Sequence, residues 1–136
     1  MADINMLVVH NISLPPEQFG GSYIEDFFCN KLDCTVHPYF ETIKGLQVSA
    51  HVLIRRDGSV VQFVPFDKRA WHAGRSEFKG QTECNDFSIG IELEGSDHIN
   101  YDKRQYEVLA QVTELLLQTY PAMTPERIVG HSDIAP

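Results

Sequence analysis

The apolar residues of this chain are gathered into short bursts. Leu7-Val8-Val9, Val52-Leu53-Ile54, Val60-Val61, Ile89-Gly90-Ile91 and Ile128-Val129 have the length of buried strands, whereas Tyr106, Leu109, Val112 and Leu116, with the neighbouring Leu115, have helical spacing. Strands that alternate with helices are joined by crossovers and lie parallel, while the Asp57-Gly58 step between two β-rich runs marks an antiparallel hairpin. Together these signals predict an α/β fold, a single domain with a mixed central β-sheet flanked by helices. A length of 136 residues is enough for one hydrophobic core, and no repeat, low-complexity tract or Gly/Ser linker divides it.

The expected strands cover residues 7–11, 48–54, 60–64, 87–94 and 127–131. Ser22 and Glu25 have capping-box spacing, which predicts a helix from Tyr23 to about Asn30 with Ile24, Phe27 and Phe28 inward. Asp102 and Gln105 repeat that spacing ahead of the longest helix, which should end near Tyr120 because Pro121 follows. Thr124-Pro125 predicts one helical turn before the last strand.

The net charge of -8 opposes general nucleic-acid binding, which needs clustered cations. Arg55, Arg56, Lys68, Arg69, Arg75 and Lys79 do lie close in sequence, as a site for an anionic ligand or simply as a solvated loop surface. No apolar stretch approaches the roughly 20 residues of a membrane span, and the N-terminus shows no signal-peptide pattern. Cys29, Cys34 and Cys84 are odd in number and lack CxxC spacing, so free thiols in a reducing, cytoplasmic compartment are expected. Cys29 reads as a small apolar helix residue.

Two histidines stand at strand ends, His10 after Leu7-Val8-Val9 and His131 after Ile128-Val129-Gly130. Carboxyl ends of strands in α/β sheets converge on a crevice, so these distant residues can meet there as two metal ligands, although strand-end spacing alone is a weak signal. Glu92 lies within an apolar strand, either buried as a general acid/base or facing solvent with Glu94 on the same face. His51 reads as a core or second-layer histidine, and Asp133 as a turn or capping residue. Ala70-Trp71-His72-Ala73-Gly74 forms a loop that could wall a pocket, though Trp71 and Tyr39 also fit as structural aromatics. His98 reads as a surface residue.

Six blocks run in order along nearly the whole chain: LVVHNISLPPEQFGG, HPYF, SAHVLIRRDG, VPFDKRAWHAG, CNDFSIGIELEG and VGHSDIAP. They resemble the zinc-dependent N-acetylmuramoyl-L-alanine amidases related to peptidoglycan recognition proteins and to phage lysozyme-type amidases. Within these, the likeness is to a cytoplasmic branch that acts on 1,6-anhydro-muropeptides during peptidoglycan recycling. The resemblance implies Zn2+ as cofactor, His10 and His131 as zinc ligands and Glu92 as the catalytic carboxylate. It further implies that Asn11, Tyr39, Ala70 and Trp71 line or border a groove for an anhydro-muropeptide, with neither nucleic acid nor membrane as partner.

Two departures from the family pattern stand out. Other branches carry a tyrosine where this chain has Ala50, in keeping with Glu92 as the acid/base. Relatives also continue past IAP into a segment resembling RKxDPG, whose aspartate completes the zinc site and whose lysine stabilises the oxyanion. The expectation is therefore an amidase domain over residues 1–136 that is truncated at its C-terminus. A non-catalytic muropeptide-binding module and a generic zinc peptidase are the competing readings.

Overall fold

A computed structural model describes residues 3–135 of the chain. The strands are β1 (Met6–Ile12), β2 (Val52–Ile54), β3 (Val60–Gln62), β4 (Glu77–Phe78), β5 (Gln81–Thr82), β6 (Ser88–Glu94) and β7 (Ile128–Gly130). The helices are α1 (Tyr23–Phe28), α2 (Pro38–Thr42), α3 (Lys103–Thr119) and the single turn α4 (His131–Ile134). The main sheet has the order β3-β2-β6-β1-β7, and β4 and β5 form a separate hairpin. Strands β2, β6, β1 and β7 are parallel, while β3 pairs antiparallel with β2 across the Asp57-Gly58 turn. This is the mixed sheet that the two kinds of connection predict.

One face of the sheet, made by Leu7, Val52, Ile54, Ile89, Ile91 and Leu93, is covered by α3 through Leu116, with Val108, Leu109 and Val112 alongside. Each fully buried aliphatic side chain here contributes roughly 1.5–3 kcal/mol. The other face is covered by α1 and α2, which bring Ile24, Phe27, Phe28 and Phe40 against Leu53 and Ala50. Beyond them Met6 and Val8 pack with Ala73, Cys84, Phe87 and Ile134.

The capping box at Asp102 and Gln105 forms as expected. Gln105 is fully buried and also donates from Nε2 to the carbonyls of Ile54 (3.2 Å) and Glu94 (2.9 Å), tying α3 to the ends of β2 and β6. The Pro125–Arg127 segment makes the predicted short turn, of 3-10 type.

Other local expectations are corrected. Ser22 makes no side-chain cap; its hydroxyl bonds the Asp26 carboxylate instead, and α1 stops at Phe28 because Asn30 takes a left-handed φ of 61°. Cys29 ends that helix exposed rather than as an apolar helix residue. The strand expected over 48–54 begins only at Val52, since Ser49 N–H bonds the Trp71 carbonyl outside the ladder. The partner strand ends at Gln62, because Phe63 and Val64 N–H both turn to the His51 carbonyl. His131 opens α4 instead of closing the last strand. The short helix α2 and the β4-β5 hairpin carry no strong signal in the sequence.

Glu94 is corrected as well. It does not face solvent: its Oε2 accepts from Gly20 N–H at 2.8 Å and its Oε1 from Arg56 N–H at 3.0 Å, with the Arg55 guanidinium 3.6 Å away. A buried carboxylate with these donors is a clasp between loops and the sheet.

Candidate active site

The carboxyl ends of β1, β6 and β7 open into a cleft of about 900 Å³. His10, Asn11, Trp71, His72, Glu92 and His131 all line it. His10 and Glu92 are register partners on adjacent parallel strands, so both side chains stand on the same face of the sheet. The apolar neighbours of Glu92 in sequence, Ile91 and Leu93, point the other way into the core under α3. Alternation along β6 therefore decides the orientation that the sequence left open.

Glu92 is 8% exposed, and its buried Oε2 has no hydrogen-bond partner. Burial pushes its pKa well above the usual carboxylate range. An unpartnered carboxyl at the floor of a cleft suits proton transfer, first as a general base and then as an acid.

The imidazoles of His10 and His131 meet with their Nδ1 atoms 3.1 Å apart. On its other side, His10 Nε2 lies 3.0 Å from Nδ1 of His72, a histidine that the sequence placed only in a loop. His72 Nε2 in turn lies 3.1 Å from Ser88 Oγ. The backbone of this loop is held by Asn85, whose Oδ1 accepts from the N–H groups of His72 (3.1 Å) and Ala73 (2.9 Å). Burial, reinforced by the neighbouring His131, lowers the His10 pKa to about 3. Burial, with His10 and His51 beside it, lowers that of His72 to about 2. Both rings are thus neutral, the form in which an imidazole binds metal.

The remaining predicted residues are distributed around this centre. Asn11 donates from Nδ2 to Asp97 Oδ1 at 2.7 Å on the cleft wall. Trp71 is 55% exposed at the rim, with the Arg69 guanidinium 4.2 Å from its ring centroid. Tyr39 lines an adjoining groove that shares Asn11, Ile12, Phe27 and Asp97 with the cleft. Ala70 is completely buried and contributes no surface to either. His51 is a core residue: its Nδ1 accepts from Gly90 N–H at 3.1 Å and its Nε2–H donates to the Lys68 carbonyl at 2.8 Å. Asp133 accepts from Gly130 N–H at 2.8 Å, the capping role its position suggests.

The N-acetylmuramoyl-L-alanine amidase family model matches residues 1–136. The chain belongs to the N-acetylmuramoyl-L-alanine amidase family. Among relatives of this amidase is the 1,6-anhydro-N-acetylmuramyl-L-alanine amidase AmpD of Haemophilus influenzae, 55% identical over 134 residues, which cover 98% of this chain and 73% of that protein. A crystal structure of a selenomethionine derivative of AmpD superposes with a TM-score of 0.96 at 57% identity, over 98% of this chain and 74% of that one. AMPDH3 from Pseudomonas aeruginosa, solved in complex with anhydromuramic pentapeptide, has a TM-score of 0.73 at 28% identity, over 97% of this chain and 52% of its own.

Amidases of this family generally depend on zinc. Among the described residues no group of three or more His, Cys, Asp or Glu side chains is arranged to hold a metal ion. The pair of His10 and His131 nevertheless suits a shared ion. Two imidazole nitrogens bound to one tetrahedral zinc at 2.0–2.1 Å stand roughly 3.3 Å apart, close to the 3.1 Å between the two Nδ1 atoms.

Proposed function

We propose that this amidase hydrolyses the amide between the lactyl carbonyl of (1,6-anhydro)-N-acetylmuramic acid and the L-alanine of the stem peptide, with zinc held by His10 and His131. The observation that carries this reading is the convergence of two Nδ1 atoms beside the unpartnered carboxyl of Glu92 in one cleft. High identity to AmpD along the chain supports an anhydro-muropeptide as substrate and peptidoglycan recycling as the setting.

A zinc ion in such a site supplies Lewis acidity and makes water more acidic. Glu92 takes a proton from the attacking water as its oxygen adds to the carbonyl carbon. It then delivers that proton to the alanine nitrogen as the C–N bond breaks, leaving a carboxylate on the sugar and a free amine on the peptide. Asn11 and Trp71 orient the substrate from the cleft wall and rim, and Tyr39 extends the surface along the adjoining groove. Ala70 acts by shaping the loop that carries Trp71. The free thiols of Cys29, Cys34 and Cys84 suit work in the cytoplasm.

The test is incubation of an anhydromuramoyl tripeptide with the protein, stripped by chelator and then resupplied with zinc, followed by mass spectrometry. Release of the peptide with a free alanine amine, dependent on zinc, is the expected result. Zinc-independent binding of the peptide with no product in the same samples would overturn this reading.

A further inference from the structure

Hydrogen positions around His10 follow from one short contact. Ser88 Oγ lies 2.6 Å from the carbonyl oxygen of Cys84. A carbonyl carries no proton, so the hydroxyl proton of Ser88 must lie in that contact. Ser88 Oγ can then only accept from His72, whose Nε2 at 3.1 Å is therefore the protonated nitrogen. The Nδ1 of neutral His72 is left as a lone pair, and His10 must donate to it from Nε2 over 3.0 Å. By elimination His10 Nδ1 is bare, and it is this atom that faces His131 Nδ1 at 3.1 Å.

The geometry points to His72 and Ser88 as positioning residues: the chain Cys84 carbonyl, Ser88 hydroxyl, His72, His10 selects the tautomer of His10 that presents an Nδ1 lone pair to a metal ion. The inference rests on the proposal that His10 holds zinc. The whole relay is buried, so water does not compete for its members. The proton shared by the two facing Nδ1 atoms then belongs to His131, the more exposed partner. Outer partners of this kind typically change metal affinity 10- to 100-fold when removed.

Two measurements test this. Long-range proton–nitrogen NMR of the imidazole rings in the zinc-free protein should show His10 and His72 protonated at Nε2 only. Zinc titration against a chelating dye should show His72→Leu binding 10- to 100-fold more weakly than the wild type. His72→Asn, whose Oδ1 can accept the His10 proton, should recover most of that loss.

A proton found on His10 Nδ1 overturns the inference, as does a folded His72→Leu protein with zinc affinity within twofold of wild type. If His72→Leu does not fold, the wild-type tautomers and the zinc affinity of Ser88→Ala decide, with a smaller loss expected for Ser88→Ala. Failure of the wild type to bind zinc at all sinks the proposed function instead, and the ring spectra still report on the relay.

Discussion

Gly90 and His72 compete for one space. A Cβ built on Gly90 lies 2.3 Å from Cγ of the His72 ring, far inside van der Waals contact. The missing side chain on β6 is thus the seat of the imidazole that touches His10, and it sits between Ser88 and Glu92 on the same face of the strand. Gly90→Ala should cost about 1–3 kcal/mol, the range for overpacking a close-packed interior. It should also displace the His72 ring. Urea unfolding followed by zinc titration checks both effects; an alanine variant with wild-type stability and zinc affinity would mean the ring has room to move.

Glu92→Gln removes the proton acceptor while keeping the shape. Loss of a general acid/base typically lowers kcat by about 10²–10⁴-fold. Because the Glu92 Oε2 is buried without a partner, the neutral amide should leave the metal-free protein at least as stable as wild type. Turnover of an anhydromuramoyl peptide and thermal unfolding, measured on one preparation, separate a catalytic role from a structural one.

Gln105→Leu tests the tie between α3 and the sheet. It leaves the Ile54 and Glu94 carbonyls without their side-chain donor and breaks the capping box at Asp102. With about 1–3 kcal/mol for each unsatisfied buried group, a loss of roughly 2–6 kcal/mol is expected in chemical denaturation. Asp102→Ala, which removes the cap and the exposed ion pair with Arg104 but keeps the buried Gln105 amide, should cost about 1 kcal/mol.

His51 contributes a pH dependence of stability. Burial lowers its pKa below the ordinary 6.5, so in the native state it stays neutral while the unfolded chain takes up a proton. The unfolded state then binds more protons, and stability is lost as pH falls below about 6.5. The slope from one such group is at most about 1.4 kcal/mol per pH unit. His51→Gln should flatten the fall in unfolding free energy between pH 7.5 and 5 relative to wild type, both in the presence of chelator. An unchanged slope would show that His51 is not held neutral.

Periodicity and turn chemistry are local properties, and they carried the local part of the fold. The amphipathic face of α3, its Asp102 and Gln105 cap and the Asp57-Gly58 hairpin are legible because each depends on residues within a few positions of one another. The failures are also physical. Ser22 fits a cap in sequence, but its hydroxyl has Asp26 within reach. The 48–51 stretch has strand propensity, but Ser49 N–H pairs with the Trp71 loop and not with a neighbouring strand.

By itself the sequence determined which side chains could carry chemistry: His10 and His131 at strand ends, and Glu92 where an apolar strand has no local reason for a carboxylate. The ordered family blocks pointed to the same three residues. Only the tertiary structure decided what surrounds them. That Ile89, Ile91 and Leu93 face α3, and so turn Glu92 toward His10, depends on which face of the sheet the helix covers. That His72, Ser88 and Gly90 form the support of His10 depends on a loop 62 residues away in sequence folding back over β6. Spacing along a chain specifies the face a residue shares with its near neighbours; contacts across strands exist only once the sheet has assembled in register.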